Sequence, residues 1–446
     1  MTSADLTARL AEVELAILAR APENDVEPTL DQIRAVMELL GDPQFAFPVI
    51  HVTGTNGKTS TVRLIEAVCR ELGLTTGRFT SPHLHTMRER ICIAGEPISV
   101  DGFVAAYDEA IAFIEMVEAR DGVRMNFFQT LVAMAYIAFA DAPVHVAIVE
   151  VGLGGSWDAT NIADGQVAVV TPVDLDHTRL LGSTIEAIAT EKAGIIKPGA
   201  IAVSGVQDPS VGAILAERAE QVGARILFEG IDFGVTGRDV ALGGQLLSVR
   251  GLAGDYDELF LPLHGEHMAS NAAVAVAAVE AFLGGGERRL DPDVLRAGLA
   301  ASTSPGRLEI VRRSPTVLVD AAHNPHGMRA LRGALTDAFT FTTLVGVVAI
   351  FSDKPAAEML EELEPVLDAV VVTRNSSPRS TPPRELGEVA VEIFGESRVH
   401  VVNSLPDAVD TAVAIAEADG LGGGVIATGS VVTAADVRRL LGVTSL

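Results

Sequence analysis

Basic residues are scarce in this chain: 33 Lys and Arg stand against 59 Asp and Glu among 446 residues, a formal net charge of −26. A field of that sign opposes nonspecific binding to phosphate backbones and acidic bilayers, so neither nucleic acid nor membrane is expected as a partner. Cysteine is nearly missing too. Cys69 and Cys92 are the only two, which argues against a disulfide scaffold and for a reducing cytoplasm. No basic start followed by an apolar block marks a targeting segment, since residues 1–20 are amphipathic with interspersed charge. The most apolar helix-like run, Ala272–Leu283, contains Glu280 and is read as too short to span a bilayer. Repeats and low-complexity tracts are also lacking. What remains is a chain that is 48% hydrophobic, enough for two or three well-packed domains.

The most informative segment is His51–Thr61, HVTGTNGKTST. An apolar run from Phe47 to Val52 breaks at Thr53-Gly54. A helical pattern follows, with Val62, Ile65, Val68, Cys69 and Leu72 on one face. A glycine loop between strand and helix turns backbone N–H groups and the positive end of a helix toward one point, which suits a phosphate. The loop is the short form Gly54-Thr55-Asn56-Gly57-Lys58-Thr59, without the four-residue spacer of the common phosphate loop. Lys58 supplies a point charge for the outer phosphates, and the Thr59 or Ser60 hydroxyl can hold phosphate or Mg²⁺. The chain is therefore expected to bind a nucleoside triphosphate. Because ATP is an anion, its site must be locally positive within an acidic protein.

From residue 47 to about 230, apolar strands alternate with helical patterns, which implies a largely parallel sheet covered by helices. Strands are expected at Val144–Val151, Val167–Val173 and Ile201–Ser204. A helix is expected over Ser183–Ala193, with Ser183 and Glu186 at capping-box spacing and Gly194 as its stop. Short strands with glycine turns between Phe233 and Leu263 suggest an antiparallel flank, closed by helices at about Glu266–Leu283 and Asp291–Ala300. Residues 302–306 read as a linker. Beyond it, strands near Thr316–Asp320, Thr343–Ile350, Ala369–Thr373, Val399–Val402 and Gly424–Thr428 describe a second, doubly wound α/β domain. The expected division is 1–301 and 302–446.

In a parallel sheet, ligands sit at the carboxyl ends of the strands. Glu150 ends one strand, and His177 follows another through Asp174-Leu-Asp176. If those strands are neighbours, the two side chains approach each other and suit Mg²⁺ or Mn²⁺, with the Ser81 hydroxyl as a further oxygen. The same spacing equally fits ordinary loop polars. Lys192 lies at a helix end, where lysines commonly complement the dipole, and nothing local distinguishes it. In the second domain, Asp320 at a strand end suits a ribose hydroxyl, His323 suits a phosphate or the ribose edge, and Arg307 suits a transferring phosphoryl group. Each of the three is also compatible with a plain surface role.

Taken together these segments resemble the Mur ligase superfamily, and within it folylpolyglutamate synthase/dihydrofolate synthase. The matching pieces, in order, are HVTGTNGKTS (51–60), TSPHL (80–84), RERI (88–91), VEVGLGGSWDATNI (149–162), DLDHTRLLG (174–182), EKAGIIKPG (191–199), LHGEHMASNAAVA (263–275), SPGRLE (304–309) and DAAHNPHG (320–327). Coverage runs from about residue 25 to the C-terminus. The resemblance implies a phosphate-loop-containing Mur-ligase-like central domain plus a C-terminal Rossmann-like domain, hence an α/β fold. It implies ATP-driven amide formation between L-glutamate and dihydropteroate or a folate through an acyl phosphate, by a monomer. It also implies Mg²⁺ on Ser81, Glu150 and His177, a carbamylated Lys192, and nucleotide contacts from Gly54 through Ser60 and from Asn271, Arg307, Asp320 and His323. Phe128, Asp158 and Ala159 fall on the pterin side. Lys58, His177, Lys192 and Arg307 are the residues implied in catalysis.

Three positions depart from the family pattern: Gln129 where a glutamate is common, Ser156 for an arginine, and Arg179 for an aspartate. They border the pterin and metal shells, so they bear on acceptor choice. Gln129 and Arg179 together suggest a compensated rearrangement. Competing expectations are a Mur-type ligase with another acceptor and an ATP-binding paralogue without activity.

Overall fold

The computed structural model describes residues 3–22, 28–418 and 420–444. Outside them lie residue 25, near which the resemblance begins, and the outer limits of the two expected domains. The chain forms two compact units, one made of Met1–Arg238, Leu247–Phe260 and Ser270–Ser302, the other of Asp239–Leu246, Leu261–Ala269 and Thr303–Leu446.

The first unit holds an eight-stranded sheet of β1 (Val49–Thr53), β2 (Thr76–Phe79), β3 (Ile91–Ile93), β4 (Glu96–Pro97), β5 (Val146–Glu150), β6 (Gly165–Val170), β7 (Ile201–Ser204) and β8 (Arg225–Phe228). Its order is β4-β3-β2-β5-β1-β6-β7-β8. From β2 to β8 neighbouring strands are parallel, while β3 and β4 add an antiparallel edge. All five residues of β1 and all five of β5 are buried. Strands covered on both faces are read as unbroken apolar runs, which is why periodicity found them.

On one face the helices Val100–Asp121 and Phe127–Asp141 pack into the core. The second of these buries every residue from Phe127 to Phe139. The helix Lys58–Glu71 buries Val62, Ile65, Val68 and Cys69, as its pattern requires, with Leu72 at its C-cap. The helix expected from Ser183 begins two residues later, at Ile185, because Thr184 rather than Ser183 caps it, its Oγ1 accepting from the Ala187 amide at 3.2 Å. Gly194 at its end has an ordinary right-handed backbone. There glycine answers to space, since a Cβ would lie 2.0 Å from Ser156 Oγ.

Strands β9 (Gly234–Ala241), β10 (Gly244–Arg250) and β11 (Asp255–Leu261) form a three-stranded sheet in the order β11-β10-β9. The helix that follows runs Glu266–Gly284, within a residue of the one expected at about Glu266–Leu283, and by length and composition alone it is long and apolar enough to cross a membrane. Its residues Ala272 through Val279 are all buried in the core.

The second unit carries β12 (Glu309–Arg313), β13 (Thr316–Val319), β14 (Leu344–Val348), β15 (Ala369–Val372), β16 (Val399–Val401) and β17 (Gly424–Thr428). They lie in the order β12-β13-β17-β14-β15-β16. Only β12 is antiparallel to its neighbour. Helices cover both faces, giving the doubly wound arrangement expected from the alternation of strands and helices.

Candidate active site

The phosphate loop leaves β1, the strand between β5 and β6. Gly54 sits at φ +144°, and a Cβ there would lie 1.9 Å from Thr171 Oγ1. Gly57 sits at φ +88°, where a Cβ would meet Asn271 Oδ1 at 2.8 Å. Gly54 is closed to a side chain by both conformation and the Thr171 backbone, whereas at Gly57 the positive φ is what disfavours one. Gly57 is the N-cap of the helix Lys58–Glu71 and brings no capping side chain, so the helix presents its positive end to the loop. Not every loop amide points at a common centre. The Thr55 and Asn56 amides donate to Pro172 O at 2.9 and 3.4 Å, and the Thr55 hydroxyl pins Asp174 O at 2.8 Å.

Two lysines converge on this loop. Lys58 Nζ donates to the carbonyls of Gly54 and Thr55 at 3.0 and 3.1 Å, and Lys192 Nζ donates to Gly54 O at 2.8 Å. Lys192 is buried. Loss of water, then the Lys58 charge, lower its ammonium to about 7 against the pull of Asp176, Asp158 and Glu191. The helix-end position alone did not reveal this, because burial by distant segments sets it.

Register explains the next group. β1 pairs Val52 with Glu150, so Glu150 ends β5 beside the loop. Its carboxylate, buried, accepts from Thr59 Oγ1 at 2.9 Å to each oxygen and from the Ser81 amide at 3.3 Å. Ser81 arrives on β2, the other neighbour of β5. His177 does not join them by the route expected. Strands β5 and β6 are separated by β1, and His177 lies exposed with φ +50° beside Asp176, its Nε2 4.0 Å from Oδ1. Among the described residues no three His, Cys, Asp or Glu side chains form a metal-binding group. The oxygen donors present at Glu150, Thr59 and Ser81 are nonetheless the hard type that suits Mg²⁺.

The loop after β5 is built around Asp158. Its carboxylate accepts from the amides of Leu153 (2.8 Å) and Thr160 (3.0 Å) and from the Thr160 hydroxyl, with burial pushing its pKa up. Thr160 in turn meets His51 Nε2 at 2.9 Å, while its carbonyl accepts from Tyr136 Oη at 2.8 Å. Burial holds the His51 imidazole near 3, hence neutral. Since the Thr160 proton goes to Asp158, His51 donates from Nε2. Ala159 is buried in the same turn. Phe128 stands edge-on to Phe79 at 5.7 Å and closes on Gly152, where a Cβ would lie 2.4 Å from its ring.

The three departures have separate jobs. Gln129 completes a capping box: its Oε1 accepts from the Asn126 amide and its Nε2 reaches Gln32. Ser156 Oγ donates to Glu191 O at 3.0 Å. Arg179 lies exposed on the short helix Thr178–Leu181. No hydrogen bond joins it to Gln129, so the suggested compensation has no contact behind it.

In the second unit Asp320 is a hub. Oδ2 accepts from the Leu308 amide at 2.8 Å and Oδ1 from the Ala322 amide at 2.7 Å. Burial raises its pKa, opposed first by Arg307. Leu308 sits at φ +44°, so Asp320 anchors a turn in left-handed backbone that carries Arg307. His323 Nδ1 donates to Ala321 O at 3.0 Å.

Glu89, inside the RERI segment, has a role that no motif assigns. Its carboxylate accepts from the amides of Leu84, His85 and Thr86 at 2.7–2.8 Å and so fixes the loop that carries Ser81. The signal was present: Thr86 and Glu89 have the three-residue capping-box spacing that the structure realises.

A phosphate loop with convergent lysines at the carboxyl ends of a parallel sheet, joined in one chain to a doubly wound unit, defines a Mur-type ATP-dependent ligase. The model of the Mur ligase middle domain matches residues 52–279, and that of the Mur ligase, glutamate ligase domain, matches residues 306–431. The dihydrofolate synthase/folylpolyglutamate synthase of Mycobacterium tuberculosis is 46% identical, over 98% of this chain and 95% of its own length. A crystal structure of the M. tuberculosis folylpolyglutamate synthase complexed with ADP and AMPPCP superposes with TM-score 0.93 at 46% identity, covering 98% and 99% of the two chains. A solved FPGS–AMPPCP–folate complex gives TM-score 0.84 at 32% identity, covering 97% and 99%. The chain belongs to the dihydrofolate synthase/folylpolyglutamate synthase family of Mur ligases and is an ATP-dependent ligase.

Proposed function

We propose that the enzyme joins L-glutamate to the carboxylate of dihydropteroate or a folate. The substrate carboxylate attacks the γ-phosphorus of ATP and becomes an acyl phosphate as ADP leaves. The glutamate amino group then attacks the acyl carbon and expels phosphate. The observation that carries this reading is the buried Glu150 carboxylate between Thr59 and Ser81, beside a loop that concentrates Lys58 and Lys192 in an acidic protein. Residues 54–60 cradle the triphosphate in this reading, with Asn271, Arg307, Asp320 and His323 as further nucleotide contacts. Ser81, Glu150 and His177 would hold Mg²⁺ in this reading, His177 from an exposed turn rather than from a strand beside Glu150, and the ion would supply positive charge against the phosphates. A Lys192 lowered to about 7 has a neutral amine fraction at physiological pH, as reaction with CO₂ to a carbamate requires. Phe128, Asp158 and Ala159 form the pterin side, Asp158 by shaping the loop. The two domains are taken as 1–301 and 302–446, and the protein as a cytoplasmic monomer, consistent with two buried free thiols.

ATP turnover by the purified chain with glutamate and either dihydropteroate or tetrahydrofolate, followed by mass analysis, tests the reading. ADP release should require an acceptor and glutamate together, with one glutamate added to the product. Turnover that ignores both pteridines, or needs a UDP-linked precursor, would overturn it.

A further inference from the structure

Glu229 lies just past β8 in the first unit and belongs to none of the groups above. Its carboxylate is half-buried and one-sided. Oε2 accepts from Ser270 Oγ at 2.7 Å and from the Val206 amide at 3.2 Å, while Oε1 takes no hydrogen bond from the described residues. Ser270 precedes Asn271, whose side chain abuts Gly57 in the phosphate loop. Gly205, at the end of β7, stands between Pro172 and Glu229: a Cβ there would lie 3.4 Å from the proline ring and 3.6 Å from Oε2. Pro172 receives the Thr55 amide of the same loop. The ends of β1, β6, β7 and β8 and the first turns of the helix Glu266–Gly284 are thus linked in a ring, with Lys58 on one side and Glu229 on another.

Resting on the ATP reading above, we propose that Glu229 reads the 6-amino group of the purine and selects ATP over 6-oxo nucleotides. An oriented carboxylate oxygen is an acceptor only. It takes a hydrogen bond from the adenine amine and faces the O6 acceptor of hypoxanthine or guanine with repulsion. The same negative charge disfavours a triphosphate at that end, while Lys58 attracts one at the other, so the pair also sets the direction in which the nucleotide lies. Ser270 and the Val206 amide act by fixing the carboxylate plane.

The test compares dissociation constants for ATP and ITP, measured on the full chain for wild type, Glu229→Gln, Ser270→Ala and Lys58→Ala. Glutamine offers both an acceptor and a donor, so Glu229→Gln should shrink the ATP preference about tenfold, the worth of one well-placed hydrogen bond. Ser270→Ala, which keeps the charge, should shrink it less. Lys58→Ala should weaken both nucleotides in the same ratio. An ATP/ITP ratio unchanged in both Glu229→Gln and Ser270→Ala overturns the proposal. Affinities indifferent to Lys58→Ala instead overturn the phosphate-loop reading on which it rests.

Discussion

The two sheets end in opposite arrangements of charge. At the carboxyl edge of the first, Lys58 and Lys192 are held by backbone carbonyls, both of them on Gly54 O. At the carboxyl edge of the second, the carboxylate of Asp320 is held by backbone amides on both oxygens. A carbonyl is a weak counter-group for an ammonium, so an incoming phosphate competes easily for those lysines. Two charge-assisted amide bonds satisfy a carboxylate far better, which makes Asp320 foremost a clamp on the Leu308 turn. One edge offers charge to a ligand, whereas the other uses charge to hold its own chain.

Substitutions at the two edges sharpen that contrast. Lys58→Ala should cost about a hundred- to thousandfold in ATP turnover, the scale of removing one preorganised charge from a phosphoryl-transfer site, with little change in melting temperature. A variant with full turnover would break the comparison. Glu150→Gln should raise the Mg²⁺ concentration needed for half-maximal rate about ten- to a hundredfold, read from a metal titration. Unchanged metal dependence would remove Glu150 from the metal site. Asp320→Asn leaves an NH₂ facing one of two amides, and should destabilise the fold by about 1–3 kcal/mol in denaturant titration. Here stability should fall first, the reverse of Lys58→Ala.

Lys192 gives a smaller effect that depends on pH. The folded chain releases its proton near 7, while the unfolded chain keeps it to about the ordinary 10.5. Between those values the unfolded state binds the extra proton, so stability should climb as pH rises from about 7 toward 10.5. Lys192→Met should flatten that climb, as comparison of denaturation midpoints across the window would reveal. The smallest change belongs to Gln129→Glu. A capping box accepts either side chain, so stability should stay within about 0.5 kcal/mol, and a larger loss would show that the reach to Gln32 matters.

Much of the framework was legible along the chain. The strands β1, β5, β14 and β17 are buried on both faces, so their apolar runs announce them, and Ile201–Ser204 and Gly424–Thr428 were delimited to the residue. The antiparallel edge formed by β3 and β4 was not, because strands of three and two residues carry too few side chains for a period to show. The helix Val100–Asp121 was passed over as well, although Ser99 caps it by accepting from the Gly102 amide. The cap of the helix Ile185–Ala193 lies one residue beyond the expected Ser183 for a related reason, since Ser183 and Thr184 are both able to cap and only the backbone path chooses between them.

Local sequence suffices to locate the glycine loop between strand and helix, because glycine spacing and strand–helix patterning are matters of backbone sterics. Composition shows equally that the protein is acidic enough to need a locally positive nucleotide site. It takes the folded chain to put β1 between Glu150 and His177, to bring Thr59 and Ser81 to Glu150, and to bury Lys192 beside Lys58. Strand order and desolvation are set by segments 69 to 138 residues apart, and no local pattern encodes the dielectric around a side chain.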